Sequence, residues 1–134
     1  AQLEKIDEIV KLKRAVGAKF NQLLASNHLL QLPMERNASA ENIYWVYPLV
    51  LKNEFGFDAK DAMHELNKKG IGTRPFFYPM HLQPILKELG AIEGAQSFPS
   101  SEMIAERGFY IPSSPSLSDD EIAYIAESVN SIVK

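Results

Sequence analysis

Residues 70–81, GIGTRPFFYPMH, carry the side chains of this sequence that are best suited to bind a ligand. Arg74 can hold a carboxylate or a phosphate through two parallel hydrogen bonds. Tyr78 and His81 add polar tips, and the two phenylalanines between Arg74 and Tyr78 add apolar surface. Prolines restrict the backbone and so reduce the entropy that is lost on binding. The composition favours a binding segment and a packed loop with a surface ion pair about equally.

Other kinds of site have little support in the sequence. The histidines His28, His64 and His81 lie far apart, without the spacing of a metal site. The absence of cysteine excludes disulfides, thiolate metal ligands and cysteine nucleophiles. There is no G-x-S-x-G elbow and no glycine-rich phosphate loop before a helix. We therefore predict no metal site and no serine or cysteine hydrolase.

The bulk composition is that of one globular domain. The chain has 134 residues, of which 46% are hydrophobic and 23% are charged. A net charge of −3 provides no broad basic face, so we expect no nucleic-acid partner. No apolar run approaches the ~20 residues that cross a bilayer, and the first residues lack a signal-peptide pattern. Together with the absence of cysteine, this favours a cytoplasmic protein without a membrane partner.

The amino-terminal half is predicted to contain one long helix, a loop and a strand. Apolar residues recur at steps of three and four from about Leu3 to Ala25, which predicts an amphipathic helix. Residues 26–42 contain several Asn and Ser residues and a Pro, which interrupt regular secondary structure, and are predicted as a loop. Residues 43–52, IYWVYPLVLK, have strand composition, and Pro48 within them implies an edge strand or a bulge.

The elements that would position residues 70–81 follow. Asp58 is the predicted N-cap of a helix that stops at Gly70. A short strand is expected from Ile71 to Arg74. The prolines between positions 75 and 84 then predict a fixed, extended connection without regular helix or central strand.

The carboxyl-terminal third is predicted to contain two helices around a strand. The first helix begins at Ser97 as N-cap and ends at Arg107. Residues 109–112, FYIP, form a strand, and SDDE at 118–121 is a capping box that opens the last helix. The element order α-β-α-β-α-β-α predicts an α/β fold, with a small sheet of about three strands covered by helices.

Three segments together resemble a known family. YWVYPLVL, GIGTRPFFYPMHLQPIL and FPSSEMIAERGFYIPSSPSLSDDEI are similar, in order and spacing, to the carboxyl-terminal part of the DegT/StrS-type sugar aminotransferases, in particular the GDP-perosamine synthases. The resemblance implies the small domain of the aspartate-aminotransferase fold, fold type I of the pyridoxal-phosphate enzymes. Residues 1–134 would be that single domain, and the amino-terminal domain that binds pyridoxal phosphate would be absent. A start inside a helix pattern without Met agrees with this expectation.

The resemblance also implies a reaction and its partners. An amino group would pass from glutamate, by way of the pyridoxamine phosphate form of the cofactor, to the keto carbon of a nucleotide-linked deoxy sugar of the perosamine type, for surface polysaccharide. The enzyme would be a homodimer with active sites between its subunits. No lysine here matches the family's Schiff-base lysine, so the resemblance assigns no catalytic residue and predicts an inactive chain that does not bind the cofactor.

Within that family frame, the substrate-binding candidates are Arg74, Tyr78 and His81. Arg74 would bind an anionic group, either the carboxylate of the donor or the phosphates of the nucleotide. Tyr78 and His81 would form hydrogen bonds with the sugar or in the region of the cofactor. The alternative is a stand-alone α/β module that binds a ligand or partner without catalysis, for which a start with Met and a helix cap would be expected.

Overall fold

The computed structural model describes residues 2–52, 56, 58–92 and 97–134. Its centre is an antiparallel sheet with the strand order β1-β2-β4-β3. The strands are β1 (Leu30–Gln31), β2 (Tyr47–Leu51), β3 (Arg74–Pro75) and β4 (Gly108–Ile111). The predicted α/β class is confirmed, but within the described residues the sheet has four strands rather than the predicted three or so. The extra strand, β1, lies in the segment predicted as a loop.

The helices pack with the inner face of this sheet around one core. They are α1 (Ile6–Leu24), which follows a 3-10 turn at Gln2–Lys5, and then α2 (Ala59–Lys68), α3 (Pro84–Glu88), α4 (Pro99–Arg107) and α5 (Asp119–Ile132). Among the helices that the structure describes, none has the length and apolarity needed to cross a bilayer.

Two predicted helix starts are confirmed by their hydrogen bonds. Asp58 Oδ1 accepts from the backbone N–H groups of Lys60 and Asp61 at 2.8 and 3.0 Å and caps α2. At α5, Ser118 Oγ accepts from the Glu121 N–H at 3.2 Å, and Glu121 Oε2 accepts from the Ser118 N–H at 2.8 Å. Both devices satisfy backbone donors that the helix itself leaves unpaired, which is why the sequence could specify them.

The two faces of the sheet have different roles. The inner face packs on the helices to form the core, with the alternate strand residues Tyr47, Leu49, Leu51, Phe109 and Ile111. The side chains of the opposite face include Arg74, Tyr110 and Pro48, which are paired in one row across three strands. Arg74 therefore lies on the face of the sheet that points away from the main core.

The prediction of an edge strand around Pro48 is wrong for β2, which lies between β1 and β4. Within the described sheet, however, β1 pairs only with Val50 and Leu51, and Pro48 has Tyr110 as its one cross-strand partner. A proline lacks the N–H that a second neighbour would require. Pro48 is thus paired on one side only, as its missing N–H requires, although β2 as a whole lies between two strands.

The segment after α2 is less extended than predicted. The strand expected from Ile71 to Arg74 is instead Arg74–Pro75, and Ile71 is buried in the core. Residues Met80–Leu82 form a 3-10 turn, and Pro84 is the first residue of α3. Proline tolerates that position because its missing N–H would have no partner in the first helical turn.

Ser97 is not the N-cap of α4, as predicted; Phe98 occupies that position. The Phe98 N–H donates to Glu102 Oε1 at 2.8 Å. A side chain from inside the helix therefore pairs the backbone N–H of the N-cap residue itself. Pro99, in the first turn as predicted, again fits because it lacks an N–H.

Candidate functional site

Arg74 and Tyr78 open onto one cavity of about 530 Å³, here called the Arg74 cavity. Its lining residues come from the turn before β2, from β3 and the segment after it, and from β4: Trp45, Val46, Arg74, Pro75, Phe76, Phe77, Tyr78 and Tyr110. The edge position of β3 leaves this side of the sheet open. The volume falls within the range of pockets that bind small molecules.

Arg74 is exposed and available for a ligand. Within the described part of the chain, its guanidinium has no hydrogen bond and no ion pair. Tyr78 is 57% exposed, and its backbone carbonyl accepts from Gln83 Nε2 at 3.4 Å. The structure thus brings together two of the three predicted binding residues, and both side chains are exposed.

The floor of the Arg74 cavity is aromatic. The rings of Phe76 and Tyr110 have their centroids 4.6 Å apart at 31°, and Phe77 meets Tyr110 edge-on at 6.5 Å. The Phe76 N–H donates to the Gly108 carbonyl at 3.3 Å and extends the pairing of β3 with β4. Burial raises the pKa of the Tyr110 phenol above its ordinary value.

His81 lies apart from Arg74 and Tyr78, in a second cavity of about 390 Å³, here called the His81 cavity. That cavity is lined by Met80, His81, Leu86, Ile92, Phe98 and Ser101. His81 is only 8% exposed, and its ring centroid is 4.8 Å from that of Phe98. The structure therefore does not bring His81 into the Arg74 cavity.

Glu102 fixes the position of His81. Its Oε1 lies 2.8 Å from His81 Nε2 and also accepts the Phe98 N–H at 2.8 Å. The Phe98 N–H, and after it His81, hold the pKa of this carboxyl below its ordinary value. The carboxylate thus ties the 3-10 turn after Tyr78 to the start of α4. Sequence reasoning did not single out Glu102, because its partner lies 21 residues earlier in the chain.

Trp45 is a second residue that sequence reasoning missed, since it was assigned to the interior of a strand. It precedes β2 and is 68% exposed at the Arg74 cavity. Asn42 is the residue that could have indicated this. Its Oδ1 accepts the Tyr44 N–H at 2.7 Å, and asparagine commonly forms such a turn with the backbone N–H two residues later. That turn breaks the strand pattern before Trp45.

The turn before Trp45 has strained backbone geometry. Tyr44 has φ of 51°, a left-handed conformation that is uncommon for residues other than glycine. Its ring is buried and stacks on Tyr47 at 5.9 Å, and its hydroxyl accepts from Asn21 Nδ2 at 2.9 Å. These contacts hold Tyr44 in place and so fix the direction in which the chain carries Trp45.

The described residues offer no evident metal site. Within the ranges that the structure describes, no three His, Asp or Glu side chains are grouped to hold an ion. The chemistry that the two cavities present is that of binding, with an unpaired guanidinium and aromatic surface in one and a hydrogen-bonded imidazole in the other.

Comparison with known proteins gives a consistent result. Residues 1–130 match the model of the DegT/DnrJ/EryC1/StrS aminotransferase family. The chain is 33% identical over 129 residues to a GDP-perosamine synthase of Vibrio cholerae, an alignment that covers 96% of this chain and 34% of that protein.

Solved structures agree on the fold. PseC of Helicobacter pylori, an aminotransferase involved in the biosynthesis of pseudoaminic acid, superposes with a TM-score of 0.85 at 17% identity over 98% of this chain and 34% of that one. The putative sugar aminotransferase Spr1654 of Streptococcus pneumoniae, in its PLP-form, gives 0.84 at 19% identity over 98% and 33%. The chain thus spans about a third of the length of the proteins that it matches. It belongs to the DegT/DnrJ/EryC1/StrS aminotransferase family.

Proposed function

We propose that this chain is the carboxyl-terminal small domain of a longer pyridoxal-phosphate-dependent aminotransferase. The complete enzyme would transfer an amino group from glutamate to a nucleotide-linked keto-deoxy sugar of the perosamine type, for surface polysaccharide. The observation that carries the proposal is the 33% identity to a GDP-perosamine synthase across nearly the whole chain. The large domain would lie in the two-thirds of such a protein that this chain does not match.

Pyridoxal phosphate does not fit the Arg74 cavity or the His81 cavity as the structure describes them. The cofactor requires a lysine for its Schiff base, and neither cavity has a lysine among its described lining residues. Lys13, whose pKa is lowered by burial, lies on α1 and donates to the Ser113 carbonyl at 2.6 Å. We therefore assign no catalytic residue here and expect the isolated chain to be inactive and to bind no cofactor.

The role of this domain would be substrate binding. Arg74 is suited to hold an anionic group, because it is exposed and its guanidinium has no partner in the described chain. Tyr78 lines the same cavity and would donate a hydrogen bond to the substrate. We retain His81 as a substrate-binding residue on the adjacent surface, where Glu102 would orient its ring.

The complete enzyme is further proposed to be a cytoplasmic homodimer. The absence of cysteine suits a reducing compartment. Large apolar side chains are exposed at the His81 cavity and on α3, namely Met80 in the cavity lining and Ile85 and Leu89 on α3 and at its end. Exposed apolar side chains of this size are typical of surfaces that pack against other protein.

The first test uses the full-length protein. Arg74→Ala should lower kcat/KM for transamination of a nucleotide-linked keto sugar about tenfold or more, because a charge-assisted contact with the substrate is lost. His81→Ala should also lower it. Arg36→Ala is the matched control, since Arg36 is an exposed arginine that forms an ion pair with Glu41 and lies outside both cavities. Unchanged kinetics in the Arg74 and His81 variants would contradict the site assignment.

A second test addresses the length of the native protein. The intact mass in the native cell should be about three times the 15.0 kDa of this chain, since the relative is about three times as long. A native product near 15.0 kDa would support the stand-alone binding module instead. Adding pyridoxal phosphate to the isolated chain should leave it colourless, whereas a stable, stoichiometric adduct on one lysine would contradict its proposed inactivity.

A further inference from the structure

We propose that Glu102 is a positioning residue for His81. Its carboxylate fixes the neutral imidazole as the Nε2–H tautomer, so that His81 meets the substrate as a hydrogen-bond acceptor at Nδ1. The inference rests on the proposed function, in which His81 binds the substrate. It also specifies that contact, because an acceptor pairs with a hydroxyl group of the sugar and not with a phosphate, a carboxylate or a keto oxygen.

The first argument is the location of the proton between the two side chains. Glu102 Oε1 lies 2.8 Å from His81 Nε2. The same oxygen accepts the backbone N–H of Phe98 at 2.8 Å, and this bond lowers the pKa of the Glu102 carboxyl below its ordinary value. An ionised carboxylate has no proton to donate and can only accept. The hydrogen atom of the contact therefore belongs to His81 Nε2.

The second argument is the state of the other ring nitrogen. A neutral imidazole carries one proton, so a ring that donates from Nε2 has a free lone pair at Nδ1. Within the described chain, Glu102 is the only hydrogen-bond partner of the His81 side chain. Among the described residues, no fully buried side-chain nitrogen or oxygen lacks a partner. Nδ1, which has none, therefore belongs to the exposed 8% of this residue, which lines the His81 cavity.

The third argument is that the pair is held in place on both sides. The Glu102 N–H donates to the Phe98 carbonyl at 3.0 Å, so the two residues are joined by reciprocal hydrogen bonds. The Phe98 ring lies against the His81 ring, with centroids 4.8 Å apart. The backbone of His81 lies in the 3-10 turn Met80–Leu82. An imidazole that is fixed by a hydrogen bond, a ring contact and a turn loses little freedom when a substrate binds.

Glu121 provides a matched control, because it caps a helix in the same way without a histidine. Its Oε2 accepts the N–H of the N-cap residue Ser118 at 2.8 Å, as Glu102 accepts that of Phe98. Within the described chain, the hydrogen bonds of Glu121 beyond those of its own helix go to Ser118 alone. The contact with His81 is thus an addition to the capping role, and the two carboxylates separate one from the other.

Solution NMR of this chain tests the tautomer. At about pH 8, above the ordinary histidine pKa of about 6.5, a histidine is neutral. We expect the nitrogen chemical shifts of His81, assigned with a His81→Gln variant, to show a protonated Nε2 and an unprotonated Nδ1, and the Nε2 proton to exchange slowly enough to be observed. Glu102→Ala should abolish that proton signal, whereas Glu121→Ala should leave it unchanged. A protonated Nδ1 in the wild type, a result that needs no variant to fold, or an unchanged Nε2 proton in Glu102→Ala would overturn the inference.

A double-mutant cycle in the full-length protein tests whether Glu102 acts through His81. Glu102→Ala should lower kcat/KM for the nucleotide-linked keto sugar about tenfold, and Glu121→Ala should leave it unchanged. In a His81→Ala background, Glu102→Ala should have no further effect, because the ring that it positions is gone. Glu102→Gln should lose less than Glu102→Ala, since its carbonyl oxygen can still accept both N–H groups. An equal loss from Glu102→Ala in the two backgrounds would overturn the inference.

The outcome is distinguishable from failure of the proposed function. If the full-length protein transaminates a nucleotide sugar but His81 carries its proton on Nδ1, the positioning inference falls and the proposed function stands. If the Nε2–H tautomer depends on Glu102 as described but no transamination is found, the proposed function falls and the tautomer assignment stands.

Discussion

Replacing Gly108 with alanine should destabilise the junction of α4, β4 and the floor of the Arg74 cavity. A methyl group at Gly108 would lie 2.2 Å from Phe76 Cδ2 and 2.5 Å from the Ile104 carbonyl oxygen. Both distances are far below van der Waals contact, and the carbonyl belongs to helix backbone that cannot rotate away. The φ of Gly108 is −105°, which any residue adopts, so the whole cost comes from the contacts.

The size of the effect follows from these two contacts. Forcing one extra carbon into a packed site typically costs about 1–3 kcal/mol, and a backbone contact favours the upper part of that range. For a domain of this length, roughly 4 °C of melting temperature is lost per kcal/mol, so we expect a decrease of about 8–12 °C. Urea and thermal unfolding of this chain measure it directly.

Gly72→Ala is the matched control for this prediction. No described atom lies within 4 Å of a methyl group placed there, and the same substitution should be neutral or slightly stabilising. If Gly108→Ala and Gly72→Ala unfolded with equal free energies, the packing of Phe76 on Gly108 would be refuted.

Three further predictions concern stability. Ser118→Ala should cost about 1 kcal/mol in urea unfolding, because the α5 cap is lost. Asn21→Ala should lower the free energy of unfolding by about 2 kcal/mol, because Tyr47 donates to Asn21 Oδ1 at 2.7 Å. The same substitution should cost less in a Tyr47→Phe background, and equal costs in the two backgrounds would contradict this hydrogen bond. The Phe98 and Ser118 N–H groups lower the pKa values of Glu102 and Glu121 respectively. The two carboxylates therefore stabilise the folded state fully above the ordinary pKa of 4.5, and this stabilisation is lost as the pH falls through their pKa values in the folded state. Thermal melts should therefore show a shallower acid decline for Glu102→Gln than for wild type.

The parts of the fold that the sequence could predict are those set by local chemistry. Asp58 and the Ser118 capping box bond to N–H groups two or three residues away, so their function is visible in a short window. The stop of α2 was predicted for a similar reason, because Gly70 has the positive φ of 76° that ends the helix. Apolar periodicity likewise located α1 and α5, whose stripes meet the core.

The parts that could not be predicted depend on contacts far apart in the chain. Strand β1 exists because Leu30 and Gln31 pair with the end of β2, some twenty residues later, and not because of their own propensity. The N-cap at Phe98 depends on Glu102, which also serves His81. Sequence proximity placed His81 with Arg74 and Tyr78, whereas the 3-10 turn between Tyr78 and α3 directs it to another cavity.

The Arg74 cavity separates residues that support the structure from residues that are available to bind. Phe76, Tyr110 and Tyr44 are packed against neighbouring groups, and their removal would cost stability whatever ligand binds. Arg74 and Trp45 are exposed and, within the described chain, contribute no side-chain hydrogen bond or ion pair, so folding alone gives no reason for their types. We therefore propose that the exposed indole and the unpaired guanidinium beside this aromatic floor serve to bind a ligand. For the same reason, substitutions at these two positions should change binding without changing stability, which packing residues cannot do.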